Sequence, residues 1–390
     1  MERKSFLNAN IVWISLSAFF ADTGYQIILA GLPLFLVLKL GYSTAIYGLT
    51  IAIMYGGGSL FGLAGGILSD KFGRKRTAII GNSFIPLLSF IGVVGEFFGG
   101  LGAIILASLG WWSRDFRTPA RRALLKEFTS KRYASKSFGF LHALDIGGAL
   151  TAAALLIIFL YLGFDFNVIF LFTIIPLAIS TLCLVLVNTK NNKVTKVRES
   201  KTDKKISSDA YRGLLIATAL YGFAYYSLGF PVLTVAQKSN SILGVLTYLI
   251  IMGVSAVTGY VIGSKNINVI KGISVLGYLL AGIGSILFGY AYALQSGIFL
   301  LYIGAVIIGF AFGTIETLEP TLVSLVSSNK KLGTKMGGLT SSRGAGLFIG
   351  NLMMGVLYVF SPIYSYTYAA VVAIIAAVVV YFFGKGLLNR

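Results

Sequence analysis

Long apolar runs dominate this chain and constrain its fold more than any other feature of the sequence. An α-helix needs about 20 predominantly apolar residues to cross the roughly 30 Å hydrocarbon core of a bilayer. Twelve such runs follow one another, near residues 8–38, 44–69, 77–95, 101–120, 137–162, 166–187, 213–236, 241–263, 272–292, 297–328, 336–360 and 363–384. The sequence therefore predicts an all-α integral membrane protein with twelve transmembrane helices.

The composition excludes a soluble enzyme, a disordered chain and a disulfide scaffold. Hydrophobic residues make up 56% of the 390 residues and charged residues only 12%, whereas a soluble domain carries about 25% charged residues. Cys183 is the single cysteine and His142 the single histidine. Intrachain disulfides and zinc motifs with two histidines or several cysteines are therefore ruled out. We expect neither a metal nor a cofactor.

The positions of the basic residues predict the orientation. Lysine and arginine accumulate in the cytoplasmic loops of membrane proteins. Successive loops lie on alternate sides of the membrane, and the basic residues cluster at the termini and in every second loop. Of the 32 basic residues, only Lys39 and Lys238 fall in the loops of the other side. Both termini are then cytoplasmic, and the net charge of +19 marks orientation rather than nucleic-acid binding. We expect a monomeric, multi-pass plasma-membrane protein whose partners are lipid, a small molecule and protons.

A polar linker predicts the division into domains. The stretch 188–209 is basic and too polar to bury a core. It separates a predicted N-terminal six-helix bundle, residues 1–187, from a C-terminal one, residues 210–390.

The two parts of the chain share a pattern that favours an internal duplication. In the fourth run Asp115 precedes Pro119 by four residues, and in the tenth run Glu316 precedes Pro320 by four. Each pair is followed by a basic loop and then by a glycine near the start of the next apolar run. Matching offsets of this kind are typical of repeats, so we expect two pseudo-symmetric bundles.

The loop between the second and third runs carries a specific motif. It reads Gly66-Ile-Leu-Ser-Asp70-Lys-Phe-Gly73-Arg74-Lys75-Arg76. This loop resembles the signature loop of the major facilitator superfamily. A closer similarity, in 114–125 and 137–145, is to a subgroup of that family whose substrates are not agreed.

The resemblance implies a twelve-helix secondary transporter. In that fold, spans one, four, seven and ten line a central cavity, and spans five and eleven lie beside it. Asp70 can pair with arginines or cap a helix, while Gly66 permits close helix contact. We expect Asp70 and the basic cluster to act as a cytoplasmic gate.

Nine ionisable side chains fall within the apolar runs. Each costs about 3 kcal/mol near the bilayer midplane, so they must be paired, hydrated in a cavity or neutral. Together they favour a polar transport pathway through spans one, four, five, ten and eleven. They are Asp22, Arg114, Asp115, Arg117, His142, Asp145, Glu316, Glu319 and Arg343.

The acidic residues and the histidine are the candidates for proton coupling or ion binding. Asp22 has no opposite charge within one helical turn, which favours proton exchange, although a structural pair with a span-four arginine is the alternative. His142 and Asp145 share a face and form either a proton relay or a structural contact. Glu316 and Glu319 complete this group.

The remaining polar and aromatic side chains are candidates for cavity charge and substrate contact. The arginines of span four bind an anionic substrate or neutralise the acids, and five acids against three arginines favour a cationic or protonatable cargo. The candidates are Gln26, Arg114, Asp115, Arg117, Tyr221, Tyr225 and Arg343.

These features predict a secondary active transporter that works by alternating access and is coupled to protons. A G-x-x-x-x-G-K-[ST] motif is absent from the sequence, so ATP is not its direct energy source. The alternatives are a membrane-embedded enzyme and a facilitative uniporter for an organic ion. One histidine and one cysteine offer few side chains for the catalytic site of an enzyme. We do not expect enzymatic activity.

The predicted topology can be tested by cysteine labelling. In a Cys183→Ser background, Ser200→Cys and Ser239→Cys should react with a membrane-impermeant maleimide from opposite sides, because an odd number of spans separates them. Only Ser239→Cys should be labelled in intact cells. Labelling of both positions from the same side would contradict the topology.

Overall fold

Helices form almost all of the chain that the structure describes. The computed structural model describes residues 8–129, 134–189, 213, 215–216, 218–222, 226–264, 268–294, 297–325 and 332–388. Within these ranges the helices are joined by short turns and no β-strand occurs.

The helices before residue 190 include a long kinked one. They are α1 (Ala9–Pro33), α2 (Thr44–Phe72), α3 (Arg74–Phe84), α4 (Ile91–Phe128), α5 (Ala134–Tyr161), α6 (Phe166–Phe172) and α7 (Ile174–Leu186). A π-helical turn, Leu34–Lys39, extends α1, and a 3₁₀ turn, Ile85–Phe90, joins α3 to α4.

The later helices include one that changes its hydrogen-bond pattern. It is α10, which runs through Val269–Lys271, a π-helical segment Gly272–Leu279 and Leu280–Ala293. The others are α8 (Gly229–Lys238), α9 (Ser241–Ser264), α11 (Ile298–Leu325), α12 (Leu332–Phe360) and α13 (Pro362–Leu388).

Ten helices in the described ranges are long and apolar enough to cross a membrane. One helical stretch, Arg74–Phe128, is 55 residues long, contains α3 and α4, and covers two of the predicted runs. It is interrupted at Gly99, whose φ of 75° and ψ of −178° lie outside the helical region and suit a residue without a Cβ. The predicted seventh run, 213–236, lies partly outside the described residues. These two features account for the difference from twelve.

The chain forms two compact units. The first contains residues 1–31 and 60–198, and the second contains residues 32–59 and 199–390. Tyr47, near the start of α2, belongs to the second unit, where its hydroxyl is hydrogen-bonded to Oγ of Ser227 at 2.9 Å. Most of the stretch 188–209 lies outside the described residues, so the division of the chain at that linker stays a prediction.

A glycine lets α2 approach α4 closely in the first unit. A Cβ at Gly65 would collide with the backbone carbonyl group of Phe116. A Cβ at Gly66 would meet Pro119 at an ordinary 3.8 Å. The close contact expected at Gly66 therefore falls on Gly65. Such contacts between backbones help to hold helices together in lipid, and this one fixes the helix that carries Arg114, Asp115 and Arg117.

This contact predicts that Gly65→Ala destabilises the protein. The added methyl group must push α2 away from the Phe116 carbonyl, and overpacking of this kind costs about 1–3 kcal/mol. A clear fall in the thermal unfolding temperature of the purified protein is expected. Gly62→Ala on the same helix is the control, because its Cβ would lie 3.6 Å from the carbonyl oxygen of Asp115. Equal stability of the two variants would contradict the prediction.

Candidate functional site

Asp22 lies buried in the middle of α1, with 5% of its surface exposed. The hydroxyl of Tyr25 donates a hydrogen bond to Oδ1, and Nε2 of Gln26 donates to the same oxygen at 3.4 Å. Their spacing places all three side chains on one face of the helix. Oδ2 accepts no hydrogen bond from any described donor. A carboxylate is expensive to ionise in such an environment.

Arg114 of α4 contacts the tyrosine that binds Asp22. Its Nη1 forms an ion pair with Oδ1 of Asp115 at 2.6 Å. The centre of the guanidinium lies 5.3 Å from the ring centroid of Tyr25 and 4.7 Å from that of Trp111. The cation–π contact with Tyr25 joins α4 to α1, while the formal charge of Arg114 is matched by its neighbour Asp115.

Arg117 is a fully buried guanidinium. Its Nη1 donates to Oδ1 of Asn82 at 3.0 Å, and Nδ2 of Asn82 donates to Oγ of Ser180 at 3.1 Å. Gly81 of α3 makes room for this arrangement, because a Cβ there would lie 2.9 Å from Cβ of Arg117. Nε and Nη2 have no hydrogen-bond partner among the described residues. A neutral amide thus holds a cation inside the first unit.

Asp145 of α5 pairs with an arginine that the sequence analysis did not include. Its Oδ1 lies 2.9 Å from Nη2 of Arg121, which is itself buried. His142, for which a proton relay or a structural contact with Asp145 was predicted, is exposed, and the carboxylate of Asp145 forms its ion pair with α4. The spacing of Arg114, Arg117 and Arg121 by three and four residues along one helix face was the signal available in the sequence.

A glycine brings α5 against α1 beside these carboxylates. A Cβ at Gly148 would collide with the carbonyl oxygen of Phe19 and lie 2.9 Å from Cβ of Asp22. Asp145 lies three residues earlier on the same face of α5. The carboxyl groups of Asp145 and Asp22 interact electrostatically. The two carboxyl groups are therefore neighbours across the α1–α5 contact.

The second unit contains a separate charged cluster. Arg343 of α12 donates from Nη1 to Oε1 of Glu316 and from Nη2 to Oε2 of Glu319 on α11. Glu319 is fully buried, and its Oε1 accepts a hydrogen bond from the hydroxyl of Tyr278 at 2.6 Å. Tyr278, in the π-helical segment of α10, stacks on Tyr221 with 4.2 Å between ring centroids.

The structure thus distributes the predicted site residues over both units. Tyr225 lies outside the described residues. In the described parts of the chain, no group of three or more histidine, cysteine, aspartate or glutamate side chains is placed to hold a metal ion. The first unit holds Asp22, Gln26, Arg114, Asp115, Arg117, His142 and Asp145, and the second holds Tyr221, Glu316, Glu319 and Arg343.

The loop between α2 and α3 ties helices of the first unit together. Nη1 of Arg74 lies 3.0 Å from Oε1 of Glu127 at the end of α4, and Nζ of Lys75 donates to the carbonyl oxygen of Val187 after α7 at 2.6 Å. Asp70, whose side chain is 72% exposed, lies 3.8 Å from Arg74.

The remaining members of the loop motif have separate positions. Gly73 has a φ of 95°, which suits a residue without a Cβ, and it ends the helix that contains Gly66. Arg76 is exposed. The ion pair that anchors this loop is therefore Arg74–Glu127, and the sequence analysis did not identify Glu127 as its partner.

Long apolar helices with paired charges in their interior define a multi-pass membrane protein of the transporter type. The chain belongs to the major facilitator superfamily, whose family model matches residues 14–291. An uncharacterised transporter of the same superfamily from Methanocaldococcus jannaschii is 25% identical over 386 residues, covering 96% of this chain and 95% of the relative.

Solved transporter structures share the fold over nearly the whole chain. A POT family transporter in complex with a thioalcohol-conjugated peptide superposes with a TM-score of 0.79 at 14% identity, covering 97% of this chain and 96% of that one. A D-xylose–proton symporter gives 0.76 at 13% identity, covering 97% and 98%. At these identities the likeness establishes the fold alone. The predicted major facilitator fold is confirmed.

The cluster of the second unit predicts a large effect of Arg343→Met. Removing the cation leaves Glu319 buried and without its charge partner, and breaking a buried ion pair in this way costs about 3–5 kcal/mol. The unfolding temperature of the purified protein should fall sharply. Adding Glu319→Gln should recover part of the loss, since the uncompensated charge is then gone. No recovery in the double variant would contradict this account.

Proposed function

We propose that this protein is a proton-coupled secondary transporter, with Asp22 as its principal coupling carboxylate. It moves a small solute across the plasma membrane by rocker-switch alternating access of its two predicted bundles, with both termini in the cytoplasm. Membership of the superfamily supports transport. The proton coupling depends on one observation, the buried Asp22 whose Oδ2 accepts no hydrogen bond from the described donors.

The surroundings of Asp22 suit a group that changes its protonation state. In a dry interior the neutral acid avoids the penalty of a buried charge. When the site opens to water, hydration stabilises the carboxylate and the proton leaves. A group that is neutral in one state and ionised in the other carries one proton for each turn of the cycle.

Arg117 is a counter-charge that can receive the ionised form. It interacts electrostatically with Asp22, and its Nε and Nη2 have no partners among the residues that the structure describes. Arg114 is already matched by Asp115. Formation of an Asp22–Arg117 pair in one state would stabilise the carboxylate after it has lost its proton.

The named solved relatives are compatible with this proposal. One of them is a D-xylose–proton symporter, which shows that the shared fold supports proton coupling in another protein. That comparison does not identify the solute carried here.

The charge balance favours a cationic or protonatable solute. Adding Arg121 to the sequence-based inventory gives five acids against four arginines, and the second unit places two glutamates on a single arginine. We propose Tyr221 and Arg343 as solute contacts in that unit. Gln26 and Tyr225 remain predictions from the sequence.

We also propose that the α2–α3 loop acts at the cytoplasmic gate. Arg74 and Lys75 fix the loop to neighbouring helices. The exposed Asp70 is the residue of the loop that can change its interactions. In this proposal Asp70 changes partners when the transporter changes state.

Reconstituted transport tests the role of Asp22. A labelled compound library is first screened for uptake into proteoliposomes with and without an imposed pH gradient, which identifies a cargo. Asp22→Asn should then abolish accumulation driven by the gradient, because the amide cannot carry a proton. It should retain exchange of the cargo down its own gradient. Accumulation at the wild-type level by this variant would contradict the assignment.

Two controls make the result specific. Glu96→Gln makes the same chemical change at an exposed carboxylate of the first unit and should preserve accumulation. If the wild-type protein transports its cargo equally with and without a pH gradient, it is a facilitative uniporter and proton coupling is wrong.

A further inference from the structure

Two acidic side chains meet where α1 packs against α5. We propose that Asp22 and Asp145 form a carboxyl pair that holds one proton between them, and that Arg121 is a positioning residue that keeps this proton on Asp22. The inference deepens the proposed function, on which it rests, because it makes a pair rather than a single acid the unit that binds the proton.

The backbone contact forces the two carboxyl groups together. Gly148 allows the Phe19 carbonyl and the Cβ of Asp22 to occupy the space that a side chain would need. Asp145 projects from the same face of α5 one turn earlier. Two neighbouring carboxyl groups can hydrogen-bond to each other only when one of them carries a proton, since ionised carboxylates only accept hydrogen bonds.

The location of the proton follows from the other contacts of the two acids. Arg121 lies 2.9 Å from Oδ1 of Asp145 and stabilises that group as the carboxylate. Oδ1 of Asp22 already accepts from Tyr25 and Gln26, while Oδ2 accepts nothing from the described donors. Oδ2 is therefore the oxygen that is available to carry the proton.

Charged and titratable groups from three helices act on the pair. Two neighbouring carboxyl groups are costly to ionise together, whereas the neighbouring arginines favour ionisation. The Asp145 side chain is 23% exposed, which gives water a route to the pair. Besides the two acids themselves, the groups are Tyr25 on α1 and Arg114, Arg117, Arg121 and Arg122 on α4.

A shared proton links helix movement to proton affinity. When two sites interact this strongly, the affinity is a property of the pair. Any movement that separates α1 from α5, or Arg121 from Asp145, therefore changes how tightly the proton is held.

The pair can be tested without knowledge of the cargo. Infrared spectroscopy of the purified full-length protein follows protonated carboxyl groups as pH is raised. The band lost in Asp22→Asn identifies the shared proton. Asp145→Asn should move its midpoint down by about one pH unit or more, because the repelling charge is gone and Arg121 then acts on Asp22. Arg121→Gln should move it up by a similar amount, and Arg121→Lys should restore it.

The controls separate this inference from the proposed function. Glu96→Gln should leave the midpoint unchanged, and size-exclusion profiles and unfolding temperatures identify variants that fail to fold. If Asp145→Asn and Arg121→Gln both keep the wild-type midpoint, Asp22 binds its proton alone and the pair is wrong, although proton coupling survives. If the midpoints shift as expected while uptake ignores a pH gradient, the pair exists and the proposed coupling is wrong.

Discussion

The hydrocarbon core provides no water for an ionised side chain, and this constraint governs the rest of the structure. Every charge within the apolar helices needs a partner from the protein or must be neutralised. Arg114 therefore pairs with Asp115, and Arg121 with Asp145. The second unit meets the same requirement with one arginine between two glutamates. Pairs that join different helices also select the helix faces that meet.

Close backbone contact makes these pairings possible. Helices in lipid gain little from burying apolar surface against one another, so packing of small residues contributes much of their association. Gly65 and Gly81 bring α2 and α3 against α4, and Gly148 brings α5 against α1. At the last contact, the absence of one side chain places two acidic groups side by side. The same glycine contact therefore determines both how α5 packs against α1 and which charged groups are neighbours.

The buried carboxylates Glu319 and Asp22 differ in how completely they are hydrogen-bonded. In the second unit both oxygens of Glu319 accept hydrogen bonds, one from Tyr278 and one from Arg343. In the first unit, one oxygen of Asp22 and two nitrogens of Arg117 have no partner among the described residues. A carboxylate with both oxygens hydrogen-bonded resists change, because any rearrangement leaves a buried group unsatisfied. Asp22, with one oxygen that lacks such a partner, is the carboxylate that can gain or lose a proton at lower cost.

The sequence by itself determined the membrane class, the long helices, the loop motif and the nine intramembrane ionisable residues, because these depend on local composition and spacing. It also identified neighbours on one helix, such as Asp22 and Gln26. Only the tertiary structure paired Asp145 with Arg121, and Arg74 with Glu127. Contacts between helices depend on axial shift and rotation. The shift and the rotation are set by where two backbones can approach each other, as at Gly148. The spacing of residues along one helix does not specify them.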